Sequence, residues 1–150
     1  MVHASRDGFF ITTEQAKFDM DVIHRFISNS YWAEGMPRAL LEKAVKNSWC
    51  FAVLTSDNTL IGFARLITDK ATFAYLADVF ILPDYRGKGL SKWLVDTIVS
   101  QPEVKGLRRM MLATYDAHSL YEQYGFKPIE RVETLMQIWQ PDIYKEKKPE

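Results

Sequence analysis

Asp78-Val79-Phe80-Ile81-Leu82-Pro83-Asp84-Tyr85-Arg86-Gly87-Lys88-Gly89-Leu90-Ser91 decides the reading of this chain. Four apolar residues form a buried strand, Pro83 breaks it, a basic glycine loop follows, and Leu90 opens an amphipathic helix. The first N–H groups of a helix lack partners within the helix and attract anions, and glycine lets a phosphate approach the backbone closely. Arg86 and Lys88 place two positive charges at the same point. The stretch is built to hold a phosphorylated ligand.

Outward from it, the apolar positions set the element order. Gly8 to Thr12 reads as a first strand. Thr13 and Asp19 are helix-start signals, and Val22, Ile23, Phe26 and Ile27 recur at helical spacing. Tyr31-Trp32-Ala33-Glu34-Gly35 is irregular and aromatic. Pro37 suits the first position of a second helix, with Leu40, Leu41, Ala44 and Val45 on one face. Trp49 to Leu54 and Leu60 to Ile67 form a hairpin around Ser56-Asp57-Asn58, and a long strand runs from Thr72 to Leu82. After the glycine loop, Leu90, Trp93, Leu94, Thr97 and Ile98 make a helix face, which Pro102 ends. Leu107 to Ala113 reads as a central strand and Ala117 to Tyr124 as a short helix closed by Gly125. Lys127 to Trp139 reads as a final hairpin or long strand, and the charged tail 144–150 as frayed. A meander of antiparallel strands feeding a βαβ unit is an α+β sheet. No linker or repeat interrupts it, so residues 1–150 are expected to form one domain.

Composition narrows the partners. The 150 residues are 47% hydrophobic and 25% charged with zero formal net charge, which gives a globular core and no general basic face for nucleic acid. The lone Cys50 excludes an intrachain disulfide, no metal-ligand spacing is present, and its apolar surroundings suit a buried structural thiol. No apolar stretch reaches the ~20 residues of a membrane span and no signal pattern opens the chain, so a cytoplasmic protein with no membrane partner is expected.

The loop is neither a dinucleotide fingerprint, since Lys92 stands where a third glycine would, nor a Walker loop. A second cluster lies downstream at Ala117-His118-Ser119-Leu120-Tyr121-Glu122-Gln123-Tyr124-Gly125-Phe126. Together the two resemble the GNAT superfamily of acyl-CoA-dependent N-acyltransferases. Arg86, Gly89 and Ser91 take the fixed places of its Q/R-x-x-G-x-G/A motif, with Ser91 departing from Gly or Ala. Ala117, Tyr121, Gly125 and Phe126 match its Ala-x-x-x-Tyr-x-x-x-Gly-Phe signature, and Thr114 stands where an asparagine often does.

The resemblance implies a mixed, mostly antiparallel sheet with a splayed strand pair and flanking helices. It implies acetyl-CoA as co-substrate, its pyrophosphate on Arg86, Gly87, Lys88, Gly89, Leu90 and Ser91. The pantetheine arm then pairs like an extra strand along Val79, Phe80 and Ile81. Tyr121 would protonate the leaving thiolate, or pack as a half-buried aromatic. Asp78 would serve as base or relay, or as a contact to the amine or to structure. His118 suits a solvent-facing or helix-start position, and His24 a surface or core one. Tyr31, Trp32, Phe73 and Tyr75, with Glu34 and Arg65, are the candidates for contact with the acceptor. The expected reaction is acetyl transfer to a primary amine of a small molecule. A non-catalytic acyl-CoA-binding module and a protein N-acetyltransferase are the alternatives. Apolar Met136, Ile138 and Trp139 leave open either a homodimer through the final strands or a covered edge.

Overall fold

The computed structural model describes residues 2–145. Strands β1 (Val2–Arg6) and β2 (Phe9–Thr12) lead into helices α1 (Met20–Ser28) and α2 (Arg38–Lys46). Strands β3 (Trp49–Thr55), β4 (Leu60–Thr68) and β5 (Phe73–Ile81) follow, then α3 (Leu90–Val99) and α4 (Pro102–Lys105). Strand β6 (Arg109–Met111) and helix α5 (His118–Glu122) complete the regular elements, with a 3-10 turn at Val132–Thr134. The six strands form one sheet in the order β1-β2-β3-β4-β5-β6. Every pairing is antiparallel except β5 with β6.

The sheet separates two apolar layers. On one face Ile23 and Ile27 of α1 and Leu41 and Val45 of α2 pack with Cys50, Phe63 and Phe80. On the other, Leu90, Leu94, Val95 and Ile98 of α3 pack with Phe51, Ile61, Leu66 and Leu76. Alternate residues of β3 to β5 point to opposite faces, so both sides of these strands are buried and read as apolar runs. The Asp19 carboxylate caps α1, accepting from the N–H groups of Asp21 and Val22 at 3.1 and 3.3 Å.

Gly62 sits where β4 is squeezed between its neighbours. A Cβ there would lie 2.6 Å from Ile81 Cδ1 and 3.1 Å from Val53 Cβ. Gly62→Val is therefore expected to overpack the sheet by about 1–3 kcal/mol. A melting temperature equal to that of the wild type would contradict this.

Six expectations change, the last of them in part. The first strand is preceded by β1, because Asp7 and Gly8 both adopt positive φ and close a two-residue hairpin. Pro37 stands one residue before α2, in extended backbone. Pro102 opens α4 rather than only ending α3. The segment 107–113 is a three-residue edge strand, not a central one; helices cover its apolar residues, as Leu107, Met110 and Leu112 pack on the α3 layer. The hairpin over 127–139 is absent: the segment forms only the 3-10 turn, since strand propensity alone makes no ladder. The frayed tail is corrected in part: Tyr144 packs on the α1–α2 layer, while 146–150 lie outside the described residues.

Candidate active site

The parallel pair β5–β6 is joined only where Phe73, Ala74 and Tyr75 face Arg109, Met110 and Met111. Beyond Tyr75 the strands part, and Leu76–Ile81 has no strand on that side among the described residues. An extended ligand can therefore hydrogen-bond to the outer edge of β5 as another strand would. On the inner side, Phe80 and Ile81 pair with Phe63 and Gly62 of β4. Val79, Phe80 and Ile81 thus pack through side chains while the main chain borders the gap.

The gap runs into the glycine loop. Gly87 and Gly89 have φ of +82° and +75°, and a Cβ on Gly87 would meet nothing within 4 Å. Gly89 occupies the N-cap of α3 without any side-chain cap, and the first helical bond comes from the Trp93 N–H. The N–H groups of Leu90, Ser91 and Lys92 therefore point out of the helix end. Ser91 lies inside the first turn and does not cap it. Arg86 donates through Nε to the Ile81 carbonyl at 2.9 Å, which ties the loop to the end of β5. Arg6 of β1 adds a cation that sequence spacing does not reveal, with Nη2 3.6 Å from where a Gly89 Cβ would stand.

The buried carboxylate of Asp78 lies in the middle of the open stretch. Asp78 adopts φ of +55°, within a register shift between β4 and β5. Its Oδ1 accepts from the Trp32 indole Nε1 and its Oδ2 from Arg65 Nε, both at 2.7 Å. Arg65 reaches further to Ser48 Oγ at 3.2 Å. The Tyr31–Trp32 loop is thereby fastened to the strand, and Phe26, Trp32, Tyr31 and Tyr115 form a chain of ring contacts. A cavity of about 480 Å³ opens beside this cluster, between α1 and Leu82.

Tyr121 stands on α5 across the gap. Its ring packs edge-on against Phe126 at 5.7 Å. Burial pushes its phenol above the ordinary value, and the nearby Tyr31 and Asp116 groups add to this. Thr114 Oγ1 accepts from the Ala117 N–H at 3.1 Å and fixes the turn into α5. A second cavity of about 310 Å³ runs along β6 past His118 and Tyr121. Asp78 thus joins Trp32 and Arg65, and Tyr31 lies close enough to Tyr121 to raise its phenol; Tyr31 and Trp32 line the first cavity and Tyr121 the second. Phe73 and Tyr75 lie where β5 and β6 remain paired. Tyr115 is the aromatic that sequence reading missed, because only the fold carries it to Tyr31. His24 is structural, donating to the Met36 carbonyl at 2.8 Å.

Cys50 lies inside the α1–α2 layer, and burial first, then the charge of Asp78, pushes its thiol up to about 12. A thiol so rarely ionised is no nucleophile. Cys50 is expected to stay unmodified by a thiol reagent in the native protein and to react after denaturation; fast native labelling would contradict its burial.

A splayed parallel strand pair, opening onto an uncapped helix end in a glycine loop, has the shape to take a long ligand with a phosphate tail. The Acetyltransferase (GNAT) domain family matches residues 46–128, more than half of the chain. The chain is 42% identical to a GNAT-family protein (xcc2953) of Xanthomonas campestris pv. campestris, with a TM-score of 0.90 over 95% of this chain and 100% of that one. It is also 34% identical over 82 residues to the [Ribosomal protein bS18]-alanine N-acetyltransferase of Haemophilus influenzae, spanning 51% of this chain and 54% of that relative. At 14% identity and a TM-score of 0.62, over 90% of each chain, it shares its fold with an Elizabethkingia anophelis GNAT acetyltransferase solved with acetyl-CoA bound. The chain belongs to the GNAT acetyltransferase family and is an acyltransferase.

Proposed function

We propose that the chain transfers the acetyl group of acetyl-CoA to a primary amine of a small molecule by direct attack. The observation that carries this reading is the open outer edge of β5 from Leu76 to Ile81, leading straight into the uncapped start of α3. The residues present fit the donor. Backbone N–H groups of Gly87 to Ser91 meet the pyrophosphate, with Arg86, Lys88 and Arg6 supplying charge. The main chain of Val79, Phe80 and Ile81 pairs with the amides of the pantetheine arm.

Acetyl-CoA supplies an activated carbonyl carbon, which bonds to the amine nitrogen as its bond to sulfur breaks. Tyr121 donates its hydroxyl proton towards the departing sulfur, a role suited to a phenol that burial keeps neutral. Asp78 acts here as a positioning group. Each of its oxygens accepts from one donor, and these two bonds hold the Trp32 loop and Arg65 in place. Water takes one proton from the ammonium so that the neutral amine attacks, and the proton that the nitrogen sheds after attack returns Tyr121 to its neutral phenol. Trp32, Tyr31 and Tyr115 line the approach of the acceptor.

Gly89→Val tests the donor site, since a β-branched residue at φ of +75° is strained and its side chain faces the cradle. Calorimetry is expected to show acetyl-CoA affinity falling at least about tenfold, roughly 1.4 kcal/mol. Unchanged affinity would reject the loop assignment. The acceptor is tested by CoA release against a panel of small amines and peptide amino termini. The resemblance to a ribosomal-protein N-acetyltransferase favours a protein α-amine as the second reading. Turnover only with peptides would select that reading.

A further inference from the structure

The cavity between α1 and Leu82 carries charge of one sign only. Its volume of about 480 Å³ lies within the roughly 300–1,000 Å³ of small-molecule sites. Val22, Phe26, Tyr31, Trp32 and Leu82 give it apolar and aromatic walls, and Arg25 is the one charged side chain among the described residues that line it. Two of the walls are fixed before any ligand arrives. Phe26 stacks on Phe80 of β5, with ring centroids 4.1 Å apart and planes 13° apart. The Asp78 carboxylate holds the Trp32 indole at 2.7 Å.

Arg25 is left without an acid of its own. Asp21 stands four residues earlier on α1, the spacing at which a helical ion pair forms. It is taken instead by Arg38 of α2, whose Nη1 lies 2.6 Å from its carboxylate. Asp78 is taken by Arg65 at 2.7 Å. Among the described residues Arg25 makes no ion pair. An unpaired guanidinium beside an apolar pocket offers paired N–H donors that match a carboxylate or a phosphate.

We propose that the acceptor amine also carries a carboxylate or phosphate group, which pairs with Arg25 while the body of the molecule lies against Phe26, Tyr31 and Trp32. The same two loop aromatics lead to the reacting groups, since Trp32 is bonded to Asp78 and Tyr31 lies close to Tyr121. An acceptor anchored by its anion on α1 therefore directs its amine past the Tyr31–Trp32 pair. This assignment of acceptor class rests on the proposed acetyl transfer, and Arg25 becomes the residue that sets specificity.

The test uses amines in pairs that differ only by the anion: benzylamine with para-aminomethylbenzoate, pentylamine with ε-aminocaproate, and ethanolamine with phosphoethanolamine. CoA release is expected to show kcat/KM about tenfold higher for the anionic member, mainly through KM, as one charge-assisted hydrogen-bonded contact supplies. Arg25 is exposed, so the preference is expected to shrink at high salt. Arg25→Ala is expected to bring the ratio to one, and Arg25→Glu to reverse it. The Asn29 amide donates to the Arg25 backbone carbonyl, a bond that neither substitution removes. A ratio of one in the wild type, or a preference that survives Arg25→Ala, overturns the proposal. So does a fall in acetyl-CoA affinity in Arg25→Ala with the preference intact, which would assign Arg25 to the donor. Should no pair be acetylated, calorimetry of the same amines on the CoA-loaded protein separates the two readings. Tighter binding of the anionic members, lost in Arg25→Ala, upholds the anion site and places the failure in the acetyl transfer. Equal binding within each pair, or none, overturns the anion site itself.

Discussion

Tyr121→Phe is expected to lower kcat about 10²–10⁴-fold, the range for loss of a positioned proton donor, while leaving acetyl-CoA affinity within about twofold. The substitution keeps the ring and its contact with Phe126, so the packing of α5 is preserved. Only the hydroxyl is lost, and with it the donor proposed for the leaving sulfur. Equal losses in kcat and affinity, measured by steady-state kinetics and calorimetry, would show instead that the ring shapes the cleft. The pH profile supplies a second check. A phenol raised above its ordinary value stays protonated through the neutral range and loses its proton only as pH rises past that raised value. The Tyr121-dependent part of kcat should therefore persist past the ordinary phenol range, and a basic limb near pH 8 would assign the acid elsewhere.

Asp78→Ala is expected to cost about 3–5 kcal/mol, because it strands the guanidinium of Arg65 in a largely buried position. For a chain of this size that corresponds to a fall in melting temperature of about 10–15 °C. It also frees the indole of Trp32, so the Tyr31–Trp32 loop loses its tie to β5. Asp78→Asn separates positioning from proton transfer. Asparagine tolerates the positive φ at this position and keeps one acceptor oxygen, so a smaller stability loss is expected. A positioning role predicts less than about a tenfold fall in kcat, whereas a general base would cost about 10²–10⁴-fold. A large kcat loss in the asparagine variant, with near-normal stability, would make Asp78 the base.

These two residues also show how sequence and fold divide the information. Tyr121 was legible because it sits in a short local pattern, Ala117 to Phe126, whose spacing is set within one helix turn and its cap. The glycine loop was legible for the same reason. Gly87, Gly89 and the break at Pro83 are local demands of backbone conformation that neighbouring residues cannot override. Asp78 could be singled out as a carboxylate in an apolar strand, but its partners could not. Trp32 lies 46 residues away and Arg65 13, and only the α1–α2 loop packing over β5 brings them to it.

The strands diverge in the same way. The apolar runs of β3, β4 and β5 were clear because a strand buried on both faces needs continuous hydrophobicity. The same rule made 107–113 look central, although it has a strand on one side only and packs on the helix layer. The pattern at 127–139 satisfies strand propensity without a ladder, because pairing is a property of two segments. Gly8 to Thr12 was read as a strand, yet Asp7-Gly8 is also a hairpin signal, and β1 could have been found from it.

By itself, the sequence determined the glycine loop, the strands β2 to β5, the helices α1, α2, α3 and α5 and the pattern that bears Tyr121, all set by short-range backbone and helix geometry. The tertiary structure alone decided where β5 parts from β6, which donors meet Asp78, that Arg6 joins the loop, and that Met136 and Ile138 stand in solvent. Each of these depends on contacts between segments far apart in the chain, where packing rather than local preference sets the outcome.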